Sequence, residues 1–351
     1  MNTFSIWNFE KYKDLDAFVE ILKKNKNRVK KVSNENWNYG DLLVEFREID
    51  NFGLENIKQI TIGSKVIKYI LFEVYAEKTK NYNFWFEEDG KILKSKKELM
   101  IPFSYKVLFI EHNGSIKSIF FCANSTAHTM IRYMFKEENL WGEIKQNLFG
   151  LSEDLFYWIF QRIKDYPNVA LSDKIQMQIT SLSSYMGSSK DKVNAVRGNG
   201  NRVAAMLGTV AFLFSNEQLK AVRPEIQYEG HRFIIELSLV GSYKIWENTY
   251  IGGFNPLGVT ERNCAICIYT FTELIPKLVE CYKERCLKND WSPKVKSYFL
   301  QALGQEIMDR VDSELQLIRA NAEMDEEEES DDLDDVALEI DDPDDPDGGL
   351  N

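Results

Sequence analysis

The sequence predicts an α+β protein: an antiparallel-sheet N-terminal part, a helical middle, a three-stranded meander, C-terminal helices and a disordered acidic tail. Three observations predict it. Between residues 41 and 123, short runs alternate apolar and polar residues and are broken by turn signals, as half-buried strands do. Residues 127–163 and 261–319 carry apolar residues at helical spacing instead. From Asn321 the periodicity stops and the composition turns acidic. The chain is accordingly divided into a β-rich α+β domain (1–150), a helical domain with an inserted meander at 225–247 (151–320), and the tail (321–351).

Residues 1–40 open with an aromatic cluster, Phe4, Trp7, Phe9 and Tyr12. A helix follows with Leu15, Phe18, Val19 and Leu22 on one face. Its end is basic: Lys23, Lys24, Lys26, Arg28, Lys30 and Lys31 have no acid among them. Such charge suits a helix C-terminus and equally a phosphate backbone. Strands are expected at Leu42–Ile49, Ile57–Ile62, Val66–Tyr75, Tyr82–Glu87, Tyr105–Glu111 and Ile116–Cys122. Glu88-Asp89-Gly90 and His112-Asn113-Gly114 are hairpin turns, because Asp-Gly and Asn-Gly tolerate positive φ. Helices are expected at Ala127–Phe135, at Trp141–Phe149, and after a Ser152 cap with the stripe Leu155, Trp158, Ile159 and Ile163. Ser172 to about Val196 has only weak periodicity.

The stretch around which the rest is arranged runs from Asp191 to Trp246. It contains Arg197-Gly-Asn-Gly-Asn-Arg202, followed by an apolar helix (Val203, Met206, Leu207, Val210, Leu213, Phe214) that Asn201 would cap. The meander comes next. Ile251–Gly258, rich in Gly and Pro, reads as a long turn or a lid. Two long helices near Glu261–Leu287 and Trp291–Arg319 complete the body, the first kinked at Pro276, the second started by Ser292-Pro293.

Net charge is −12, but unevenly placed. Sixteen of the 55 acidic residues lie in 321–351, where there is no Lys or Arg; the remaining 39 face 43 basic residues, so residues 1–320 carry +4. A mildly basic body bears a polyanion that cannot bury enough apolar surface to order itself. Within it Leu333, Val336, Leu338 and Ile340 form a short apolar patch suited to docking on a partner. Five cysteines, an odd number, are no disulfide framework. With no apolar run of eighteen residues and no leader, a cytoplasmic protein without a membrane partner is expected.

No motif fixes a reaction. The Arg197–Arg202 loop, with Asn199 and Asn201, offers backbone N–H groups, a helix start and two guanidinium groups to a phosphate, yet it is neither a Walker A nor a GxGxxG sequence. Cys264 and Cys267, with Cys281 and Cys286, lie too far apart along one helix to share zinc, so no metal is assigned. Of the histidines, His231 follows the arginine loop most closely. Glu73 and Glu77 share one strand face beside Lys78, the kind of cluster a nuclease uses to hold a divalent cation. The function expected is binding of nucleic acid or a protein complex through basic patches, moderated by the acidic tail. The alternative is a metal-dependent nuclease or other phosphate-processing enzyme, with Mg as its cofactor. The lack of any housekeeping motif makes phage defence or a mobile element the expected setting.

Overall fold

The computed structural model describes residues 2–88, 93–200 and 202–335, with side chains to Ala322 in the last helix. Strand β1 (Asn2–Phe9) is followed by helix α1 (Leu15–Lys24) and strands β2 (Asn27–Lys30), β3 (Leu42–Arg47), β4 (Lys58–Ile62) and β5 (Lys65–Thr79). A single turn, α2 (Lys96–Leu99), leads into β6 (Met100–His112) and β7 (Ser115–Phe120). Next come α3 (Asn124–Met134), α4 (Glu138–Trp141), β8 (Ile144–Gln146), α5 (Glu153–Asp165), β9 (Gln178–Ser188) and β10 (Ala195–Asn199). Then follow α6 (Leu207–Phe214), β11 (Gln218–Tyr228), β12 (His231–Ser238) and β13 (Tyr243–Ile245). Helix α7 (Val259–Tyr269) passes through a π turn into α8 (Ile275–Leu287), and α9 (Pro293–Asp335) closes the fold. No described helix is long and apolar enough to cross a membrane.

The strands form one antiparallel sheet in the order β10-β9-β11-β12-β13-β1-β7-β6-β5-β3-β2, with β4 added on β5 and β8 on β1. β1 joins its two halves. Asn2–Phe4 pair with β13, and Ser5–Phe9 pair with β7. Because strand side chains alternate, Phe4 and Ile6 enter one apolar layer while Trp7 and Phe9 enter the other. The first layer is covered by α5 to α9, the second by α1, α3 and α4. Helix α1 has the face read from the sequence, with Leu15, Phe18, Val19 and Leu22 buried. Asp14 caps it by accepting from Ala17 N at 2.7 Å.

The α+β class is as expected, but several elements differ. Trp141–Phe149 is not a helix: α4 ends at Trp141, Gly142 turns the chain at φ +73°, and β8 pairs with β1. The weakly periodic 172–196 segment holds the paired strands β9 and β10. Its alternation is hidden because Ser184 and Ser188 are buried polar residues. Tyr82–Phe84 is a 3-10 turn rather than a strand. The meander is longer than 225–247, since β11 already pairs with β9 from Gln218. Pro276 does not break its helix. Its ring cannot accept the normal geometry four residues back, and the π turn Thr270–Leu274 widens the backbone just before it. The Thr272 hydroxyl donates to Ile268 O at 2.7 Å.

Of the two expected hairpin turns, Asn113-Gly114 is present with φ +52° and +68°; Asp89-Gly90 lies outside the described residues. Helix α9 continues past Asn321 to Asp335, and residues 336–351 of the acidic tail, with Val336, Leu338 and Ile340, lie outside the described residues.

The Asn113-Gly114 hairpin buries His112, whose Nδ1 lies 3.1 Å from Lys117 Nζ. An ammonium can only donate, so the ring is neutral with its proton on Nε2. Burial, then the neighbouring Lys117 and Lys65, push the His112 pKa down to about 4. The unfolded chain therefore binds the extra proton first, and the native state loses stability as pH falls from about 6.5 towards 4, by up to ~3 kcal/mol. Urea unfolding of wild type and His112→Gln across this range is expected to show a steeper acid decline in wild type. Parallel curves would contradict this assignment.

Candidate nucleic-acid interface

Beyond α3, the face of the sheet that carries α1 and α3 is left open. On β5, Phe72, Val74 and Ala76 are buried in the core beneath those helices. Lys78 continues the same face where the helical cover ends, and it pairs in register with Ile101 of β6. Lys78 and Ile101 line two adjoining cavities. One, of about 320 Å³, lies between Phe103 and Tyr105 of β6 and the hydroxyls of Ser125, Thr126 and Thr129 on α3. The other, of about 820 Å³, is bounded by Val32–Asn34 after β2, by Lys78 and Thr79 at the end of β5, and by Lys80–Tyr82, Phe84 and Trp85 after it. Together they form one groove.

Its outer wall is an aromatic cluster built on Trp85. The buried Trp85 ring donates from Nε1 to Lys80 O at 2.8 Å. Trp37 and Tyr82 each pack against it with ring centroids 5.3 Å away. Asn36 Nδ2 donates to the Tyr82 hydroxyl at 2.9 Å, and Tyr39 donates to Lys94 O at 2.7 Å. On this support Tyr82 and Phe84 are 45% and 61% exposed. Exposing such rings costs hydrophobic free energy that burial would recover, and they stand out against Trp85 beside them, which is 3% exposed.

The groove is cationic. Lys78 and Lys80 line it, among the described residues no Asp or Glu does, and Lys30 at the end of β2 and Lys31 just after it lead into its rim. Lys30 Nζ sits 3.7 Å from the Tyr133 ring centroid. Among the described residues none of these four lysines forms an ion pair, whereas Lys23 pairs with Glu20 and Glu55, Lys26 with Glu48, and Arg28 with Glu137. The basic run is therefore divided. The helix ends at Lys24, Arg28 and Lys30 fall on an edge strand, and only the last part of the run approaches the groove.

The other residues singled out in the sequence have separate places. Glu77 is buried, and its carboxylate accepts from Leu43 N at 2.9 Å and from the Tyr75 hydroxyl at 3.2 Å. It fastens β3 to β5 from the opposite face to Lys78. Glu73 lies across from Arg47 and Lys106. Among the described residues no three His, Cys, Asp or Glu gather as metal ligands. Cys264, Cys267 and Cys281 are buried in the apolar layer, and burial raises their thiol pKa values.

The arginine loop is not a helix-capped anion cradle. Arg197, Gly198 and Asn199 belong to edge strand β10, and Asn201 lies outside the described residues. The helix starts only at Leu207, after a 3-10 turn, with Met206 in the cap position. Arg197 lines a small cleft with Glu236 and Lys244, and Arg202 a different one with Asp165 and Glu306. The loop also sits on the opposite edge of the sheet from β2. Arg loop, lysine run and carboxylate strand thus do not face one groove.

His231 is a packed turn residue. Its Nδ1 lies 2.6 Å from the Tyr250 hydroxyl, which accepts from Phe254 N at 3.2 Å. The Phe254 and Tyr269 rings flank it at 4.8 and 4.5 Å, and burial lowers its pKa. Gly252, at φ +157°, runs so close that a Cβ there would meet both His231 Nδ1 and the Tyr250 hydroxyl at 2.5 Å. The expected lid is a buttress against this cluster.

Sequence reasoning missed the groove's aromatic wall. The available signal was Lys78-Thr-Lys-Asn-Tyr-Asn-Phe-Trp85, in which aromatic residues alternate with lysines and asparagines. The chain matches no protein-family model, and no curated protein matches its sequence.

The two glycines of the arginine loop have local reasons: Gly200 takes a φ of +140° with open space around it, and Gly198 is fixed by packing. A Cβ at Gly198 would meet the Tyr185 ring at 2.3 Å and Val203 at 2.7 Å. Gly198→Ala is expected to destabilise the protein by about 1–3 kcal/mol, measured by thermal or urea unfolding. An unchanged stability would show that the ring and the strand can separate freely there.

Proposed function

We propose that this protein binds single-stranded nucleic acid in the groove over β5, β6 and α3, and that the acidic C-terminal stretch moderates this binding. One observation carries the reading: the groove combines exposed aromatic faces at Tyr82 and Phe84 with Lys78 and Lys80, and among the described residues no carboxylate lines it. Every base has a π face, so stacking on such rings tolerates any sequence. Lysines follow the phosphates, and the Ser125 and Thr126 hydroxyls of α3 can donate to them, whereas that of Thr129 donates to Ser125 O. In a duplex the base faces are already stacked, which leaves exposed rings nothing to receive. The nuclease reading is not favoured, because the oxygens of Glu77 already accept hydrogen bonds from the protein.

Fluorescence anisotropy with a labelled single-stranded oligonucleotide tests it. Phe84→Ala, an exposed position, is expected to weaken binding about tenfold or more. Lys78→Glu is expected to weaken it and to lower the salt slope by about one. No binding at low salt, indifference to both substitutions, or tighter binding to duplex would refute the proposal.

The tail contributes through charge. A chain ending at residue 320 loses sixteen carboxylates, and the described residues flanking the cut, Val311 to Ala322, are all exposed. It is expected to bind more tightly than the full chain at low salt. The two should converge towards 1 M salt, where screening acts within about 3 Å. Equal affinities at low salt would remove the tail from the account.

A further inference from the structure

The last helix carries a surface that the body leaves uncovered. Helix α9 docks through the buried Phe299 and Leu303, and the Phe214 ring of α6 lies against Gly304. Beyond this it stands clear. Met308, Val311, Leu315, Ile318 and Ala322 recur at intervals of three and four, the a and d positions of a heptad. The first four are 54%, 43%, 43% and 61% exposed. Met206 and Leu207, also exposed, continue the stripe onto the body, where Arg310 Nη1 donates to Ala205 O at 2.6 Å. A helix exposed on all sides gains little from propensity alone. Its apolar stripe is a seam that lacks its second strand.

We propose that a second copy of this chain fills the seam in antiparallel orientation. From Val311 to Ala322 the seam is self-complementary in that direction: Leu315 faces the partner's Ile318, and Val311 faces the partner's Ala322, each twice by symmetry, while Met308 lies outside the matched apolar segment. The flanking charges also match, because Asp312 comes opposite the partner's Arg319, again twice. A parallel pair would match Glu314 with the partner's Arg319 equally often, so the flanks do not decide the direction. The acidic stretch does. It begins at Glu323, one residue beyond the seam. In a parallel pair the two polyanions would run side by side, well within a Debye length of about 8 Å at physiological salt. Antiparallel pairing sends them in opposite directions, each towards the mildly basic body of the other copy.

Sedimentation equilibrium of the full chain across the micromolar range tests this, with the expected result a monomer–dimer equilibrium. Leu315→Glu and Ile318→Glu, both exposed in the single chain, return it to monomer while the near-UV circular dichroism of the body is unchanged, and Tm loses its dependence on protein concentration. Asp312→Arg weakens association about tenfold or more, and adding Arg319→Asp restores it. A chain that remains monomeric overturns the proposal, as does a dimer indifferent to both glutamate substitutions. So does rescue by Glu314→Arg with Arg319→Glu rather than by Asp312→Arg with Arg319→Asp, which would identify a parallel pair.

Discussion

The structure depends on the double pairing of β1. Eight residues connect two sets of strands, with Asn2–Phe4 bonded to β13 and Ser5–Phe9 to β7. Their alternation also sorts the cores, sending Phe4 and Ile6 to one helical layer and Trp7 and Phe9 to the other. A slip of one residue would exchange the two sets and place Ser5 and Asn8 against the wrong layers. The groove inherits its position from this register. β7 aligns β6, β6 aligns β5, and β5 carries Lys78 out to where the helical cover ends.

The two ends of the sheet have different chemistry. At the β2 end, lysines without ion-pair partners among the described residues meet exposed rings. At the β10 end, charges compensate one another: Arg223 and Lys244 both bind Glu236, at 2.9 Å and in a still shorter contact, and Arg232 pairs with Glu225 at 2.6 Å. Paired charges of this kind contribute little field beyond the surface, while unpaired ones in a groove raise the local concentration of anions. The arginine loop differs from the groove in its lining: Arg197 shares its cleft with Glu236 and Arg202 shares its own with Asp165 and Glu306, whereas among the described residues no Asp or Glu lines the groove.

Much of the fold was legible from side-chain periodicity. Helix α1, strands β3 to β7 and the Asn113-Gly114 turn follow from alternation, helical spacing and turn chemistry within a few residues of one another. What failed depended on distant partners. Strand β9 has serines where apolar residues would have marked its buried face. The glycines near Arg197 resemble a ligand loop until Tyr185, across the sheet, is seen to occupy the space above Gly198. The basic run looks uniform along the chain, yet Glu48, Glu55 and Glu137 neutralise half of it in space. The groove was least legible of all, because its walls come from residues near 32, 80, 103 and 126, which only the sheet register brings together.

The central claim is that the groove over β5, β6 and α3 receives nucleic acid. Hydrogen exchange of the full chain with and without a short single-stranded oligonucleotide tests this most directly. The account predicts slowed exchange confined to residues 30–34, 78–85, 101–105 and 125–130. Protection centred on β10 and the Arg197–Arg202 segment, with none around Tyr82 and Phe84, would contradict it.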